Sequence, residues 1–197
     1  MRRALLACAA ALLLCVPAAA EPFEAQVAGA SALLGLRFAA VKPPPPPALP
    51  AGTPERYARA FADGFSSAAR ALSKSSCAAF FAGRGAAAPR PLETMRAAEY
   101  RFLALPQGPS VGAQTNSENS VFINTTGLFV TAEGGGVVLA GRDYDLGSAS
   151  AVRAMILLHE LSHQLGIFGP DSGPAHAADN ASHSLDVINA CLYARPL

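Results

Sequence analysis

The stretch ILLHELSHQLGIFGPD, residues 156–171, sets two histidines and a glutamate into a run that is otherwise mostly apolar as far as Gly166. His159 and His163 are four residues apart, so on a helix their rings project from one face, a single turn from each other. A core histidine bonded to a backbone carbonyl would explain one such residue. It does not explain three polar residues together in an oily segment, where each would cost several kcal/mol if buried unpaired. Paired imidazoles one turn apart are the arrangement that grips a metal ion, and neutral nitrogen donors suit zinc. Glu160, next along the helix, points to the flank, where it can reach a water on the ion without being a ligand.

The surrounding sequence places this segment on a long buried helix. Apart from Ser150 and the His159–Glu160 pair itself, nearly every side chain from Ala149 to Leu161 is apolar, with Arg153 the exception, so the helix is covered on most sides. Ser148 or Ser150 caps its start, it runs to Leu165, and Gly166 ends it as a residue that tolerates positive φ. A third protein donor would leave the fourth tetrahedral position for water. It is to be drawn from Asp171, His176, Asp179, His183 and Asp186. Asp171 is the favoured choice, since Gly169 and Pro170 can turn the chain so that its carboxylate comes under the histidines; the bland alternative is an Asx-type turn. His183 and Asp186 come next, sharing a face of the last helix at i and i+3.

HELSHQLG resembles the zincin metallopeptidase signature, and Gly166 falls where metzincin-like members turn the chain back toward the metal. The resemblance implies a zincin-like α+β fold, one Zn2+ per chain, His159 and His163 as ligands and Glu160 as general base. The position at which metzincins carry their third histidine is Gly169 here, and no methionine follows Met155. The chain is therefore more similar to small secreted bacterial zincin-like proteins than to true metzincins. A ligand from a later helix, as in gluzincins, would be His183 or Asp186. The implied chemistry is peptide-bond hydrolysis: the ion acidifies its water, Glu160 takes the proton, and the hydroxide attacks a carbonyl polarised by the same ion. A peptide or protein substrate would lie extended along a strand edge from the VFINTTGLFV region. Tyr144 and Tyr193 are oxyanion candidates on residue type alone. The reading from another class is a zincin-like module that holds zinc without turning over peptides; a metal-free exported domain is the third.

The rest of the chain sets the compartment and the domain. Residues 1–20, MRRALLACAAALLLCVPAAA, join two arginines to a short apolar run that closes on small residues. That is the layout of a secretory signal peptide, with cleavage expected after Ala20 and a secreted or periplasmic product. With Arg2 and Arg3 gone, Lys plus Arg falls from 15 to 13 against 14 acidic residues, a net charge near −1. No nucleic-acid footprint or basic membrane patch is visible at that balance. Cys8 and Cys15 leave with the leader, so Cys77 and Cys191 are expected to form one intrachain disulfide in an oxidising compartment.

Residues 21–52 read as an Ala- and Pro-rich linker or propeptide, with five consecutive prolines at 43–47 enforcing extended backbone. The domain is expected over 53–197. It opens with a helix from near Thr53, whose hydroxyl is placed to cap it, to Leu72, with Tyr57, Phe61, Phe65, Ala68 and Leu72 on one face. SSCAAFFAG and PLETMRAA predict two short helices. EYRFLAL, SVFINT, GLFVTA and GGVVLA predict three or four strands of a small mixed or antiparallel sheet, with a tight turn near Thr126 and Gly127. GRDYDLGSAS leads into the long buried helix, and a last helix is expected from about Ser182 to Leu192. NTT at 124 and NAS at 180 fit the glycosylation pattern.

Overall fold

Glu55–Leu72 forms the first long helix, α1, with the expected apolar face turned inward. The computed structural model describes residues 43–83, 90–116, 119–169 and 176–196; the expected signal peptide at 1–20 lies outside them. Thr53 does not cap α1. Its hydroxyl donates back to Pro50 O at 2.7 Å, and Pro54, whose ring fixes φ near the helical value, stands at the helix start without a side-chain cap. The compact unit runs Pro43–Leu197. Leu49 packs against its core, so the end of the proline run belongs to the folded unit.

Two short helices follow, α2 (Ser75–Ala82) and α3 (Pro91–Ala97), the latter with Pro91 in its first turn. Strands β1 (Glu99–Leu103), β2 (Ala113–Thr115) and β3 (Ser120–Asn124) make one mixed sheet of order β1-β3-β2. β1 and β3 run parallel with Glu99 opposite Ser120, and β2 lies antiparallel to β3 with Ala113 opposite Ile123. β3 is therefore the central strand, and the sheet edges belong to β1 and β2.

GLFVTA departs from its expected strand. Leu128–Thr131 is instead a one-turn helix, α4. Two forces outweigh the β-propensity of its residues. Gly127 sits so close to the Val111 carbonyl and to Asn124 that no Cβ fits there, so the chain packs against that loop where a strand residue with a side chain could not. Arg153 then donates from Nε to Phe129 O at 2.9 Å and from Nη2 to Ala132 O at 3.0 Å, holding carbonyls at the end of α4. The one basic residue of the apolar N-terminal half of the next long helix is thus a bridge to its neighbour.

β4 (Gly136–Leu139) and β5 (Arg142–Asp145) form a hairpin, although RDYD carries no strand pattern of its own. Its two-residue turn has Ala140 and Gly141 at φ 51° and 73°, the positive pair that matches strand twist. The alanine hid it, since Asn or Asp is the usual partner of glycine there. β6 (Arg195–Pro196) extends this second sheet beside β5.

α5 (Ala149–Gln164) and α6 (Ala177–Cys191) complete the fold. α5 is the core helix. α1 lies along it most extensively, and at Gly64 the two approach so closely that a Cβ would come 2.6 Å from Arg153 Cβ. Phe61, Phe65, Ile123, Leu158 and Leu161 fill the space between helices and sheet. Phe61 meets Tyr100 of β1 at 4.5 Å between ring centroids. The fold is α+β, as expected, with two small sheets in place of one. α6 begins five residues before its expected start, so His183 lies in its second turn.

Cys77 and Cys191 are joined in a disulfide across 114 residues of sequence, tying α2 to the end of α6. In the chain-entropy model a loop of that length contributes about 4–5 kcal/mol. Such a bridge is compatible with an extracellular location. Among the described residues no helix is long and apolar enough to cross a membrane.

Candidate metal centre

The C-terminal half of α5 places the histidines. Ser148 caps the helix start, accepting from Ala151 N at 3.2 Å, and Gly166, at φ 67°, ends it. Ile167 N and Phe168 N then donate back to Ser162 O at 2.9 and 3.3 Å, which reverses the chain. Phe168 is thereby brought over both imidazoles, 5.7 Å from the His159 ring and 5.8 Å from the His163 ring between centroids.

His159 and His163 face each other through Nε2, the two atoms 3.1 Å apart. Two nitrogen lone pairs repel at that distance unless a proton or a cation lies between them. A single ion at the usual zinc–nitrogen distance from both would subtend an angle of about 100°, close to tetrahedral. The other face of His159 is held by α6: Ser184 Oγ lies 3.2 Å from Nδ1. With its proton on Nδ1 the ring donates to that hydroxyl and keeps the Nε2 lone pair for an ion. The donor chemistry and the spacing both fit zinc.

His159 and Glu160 are 5% and 6% exposed, buried together. Thr115 Oγ1 of β2 donates to the Glu160 carbonyl at 3.3 Å, fastening the sheet edge to the site helix. Tyr100 lies within the electrostatic reach of the Glu160 carboxylate. Burial first, and that charge second, raise the phenol above its ordinary range, while its hydroxyl donates to Met95 O at 2.7 Å.

The third donor is less simply settled. Asp171, the favoured choice from sequence, lies outside the described residues. His183 comes to the site: its ring is 6.2 Å from that of His159, 6.1 Å from that of His163, and stacked on Phe168 at 4.0 Å. Asp186, half-buried, follows it one turn later on α6. His176 and Asp179 pair with each other at 3.1 Å on the exposed start of α6. Among the described residues no group of three His, Cys, Asp or Glu side chains is poised to hold a metal as it stands.

Two sequence expectations go elsewhere. Tyr193 is 71% exposed and lines a cleft of about 520 Å³ with Arg70, Lys74, Gly147 and Ala151. That cleft opens at the N-terminal end of α5, on the order of 15 Å along the helix from the histidines. Tyr144 sits on β5, next to Asp145 of the same cleft. The expected substrate edge at VFINTTGLFV is taken up as well, because β3 is paired on both sides and 128–131 is helical. β2 is the edge strand tied to α5. Sequence reasoning missed Ser184 and Phe168. Ser184 had a signal, standing beside the candidate ligand His183, whereas the Phe168 stack depends on a chain reversal that only the fold reveals.

No family model, curated protein or solved structure matches the chain.

Proposed function

We propose that the chain is an exported zinc-dependent peptidase of zincin type, with His159 and His163 as metal donors and Glu160 as general base. The observation that carries this reading is the convergence of two Nε2 atoms at 3.1 Å on consecutive turns of a buried helix, with a carboxylate on the residue between their turns. Zinc held there by His159 and His163 would supply a Lewis acid to polarise a peptide carbonyl and would make water acidic enough to lose a proton near neutral pH. Glu160 accepts that proton on its carboxylate and returns it to the departing amine. Its burial beside apolar side chains excludes competing solvent and strengthens its interaction with nearby charge. Ser184 fixes the tautomer and tilt of His159. The outer edge of β2, held to α5 through Thr115, offers backbone donors and acceptors to an extended peptide. The disulfide supports export.

The purified chain is expected to carry about one zinc, lost in the His159→Ala, His163→Ala double variant. Glu160→Gln should keep the zinc and lose casein cleavage by at least about a hundredfold, the lower end for a positioned acid–base group. Correctly folded protein without zinc would sink the metal reading, and cleavage that survives Glu160→Gln would sink the role of Glu160. A second reading, a module that binds zinc without turnover, is favoured by one observation: no three donors among the described residues are poised around one point. Zinc binding with no cleavage of casein or a peptide library selects it.

A further inference from the structure

We infer that His183 is the third protein donor of the zinc site, beside His159 and His163. The inference rests on the metal-binding reading above and deepens it.

Three imidazoles on one tetrahedral ion place their ring centroids about 5 Å apart, given zinc–nitrogen bonds near 2 Å. The His159 and His163 rings already stand at 4.9 Å. His183 is 6.2 Å from one and 6.1 Å from the other. It is thus nearly equidistant from both, about 1 Å too far from each, and one inward shift closes both gaps.

Packing holds His183 beside the pair. Its ring lies flat on Phe168, 4.0 Å away with planes 4° apart, and Phe168 is buried where the chain reverses after Gly166. A stacked aromatic pair of this kind is worth roughly 1 kcal/mol, small beside what a zinc–imidazole bond contributes, so the stack positions the ring without competing with an ion for it. Ser184, the next residue of α6, already sits 3.2 Å from His159 Nδ1. That contact holds α6 against α5 beside the histidine pair. One helix then supplies both a ligand and the group that orients another ligand.

The direct test is zinc K-edge X-ray absorption on the zinc-loaded full chain, which counts imidazoles: three are expected, and two would overturn the inference. A competition titration against a chromophoric chelator gives a second measure. His183→Phe keeps an aromatic ring to stack on Phe168 and removes only the donor, so it tests the role even if His183→Ala fails to fold. Loss of an orienting group costs roughly 10–100-fold in metal affinity. Loss of His183 is expected to exceed that range. Unchanged affinity in His183→Phe, with Asp171→Ala losing more than about a hundredfold, would hand the position to Asp171 and refute His183. If the wild-type chain binds no zinc, the metal reading itself fails, which is a distinct outcome from zinc held by two imidazoles.

Discussion

Asn124 and His159 are both buried polar residues close to the sheet, and their surroundings differ in kind. Asn124, at 0% exposure, spends its whole amide on the loops around it. Its Nδ2 donates to Gly108 O and Val111 O at 2.7 and 2.8 Å, and its Oδ1 accepts from Leu105 N, Thr126 N and Thr126 Oγ1 at 3.2, 3.1 and 3.0 Å. His159 turns one nitrogen to another histidine and the other to a serine. Burial therefore does not separate structure from chemistry. What separates them is whether a buried group answers the backbone or faces side chains of its own kind, because the first arrangement is complete in itself and the second leaves room for a cation.

Replacing each residue should break different things. Asn124→Ala removes five hydrogen bonds and strands backbone donors and acceptors in the interior. About 3–5 kcal/mol of stability should be lost, at the upper end for point substitutions, with the urea midpoint as the readout. Metal affinity of the fraction that remains folded should be unchanged. A loss under about 1 kcal/mol would mean that the loop from Leu105 to Val111 finds other partners. The same burial removes Asn124 as a glycosylation acceptor in the folded chain, so the NTT pattern is a structural asparagine followed by a turn.

Ser184→Ala is the smaller counterpart on the histidine side. It removes the hydroxyl at His159 Nδ1 and nothing on the backbone. Zinc affinity should fall roughly 10–100-fold, the range for a group that orients a ligand, while the melting temperature of the zinc-free protein moves by only a few degrees. Equal losses in the two measurements would place Ser184 with Asn124 as a structural group.

The same contrast explains what could be read from the sequence. α1, α5, β1, β3 and β4 were legible because apolar periodicity, the Ser148 cap and the Gly166 stop are local signals. The histidine pair was legible because helical spacing alone fixes its geometry. α4 was not, since its helical turn is imposed by Arg153 and by the crowding at Gly127, both of which act across the fold. Nor was the approach of His183, which depends on where α6 packs, or the central place of β3, which moves the open sheet edge from VFINTTGLFV to β2.

Tyr100 belongs to both sides of the comparison and gives the subtlest expectation. Its hydroxyl donates to the backbone at Met95 O, as a structural group does, yet the Glu160 carboxylate adds to the burial that raises its phenol above the ordinary range. The unfolded phenol ionises near pH 10. Between that value and the higher folded one, the unfolded chain releases a proton that the folded chain retains. Stability should therefore be whole below pH 10 and decline above it, by up to about 1.4 kcal/mol per pH unit. Tyr100→Phe cannot ionise in either state, so its urea midpoint should fall less steeply between pH 10 and 11, after a constant loss of about 1 kcal/mol from the missing hydrogen bond. Glu160→Gln should leave most of the slope, because burial is the larger cause and the charge the smaller. If Glu160→Gln flattened the profile as fully as Tyr100→Phe, the carboxylate would be the dominant neighbour of the phenol, and Tyr100 would belong with the histidines as part of the site.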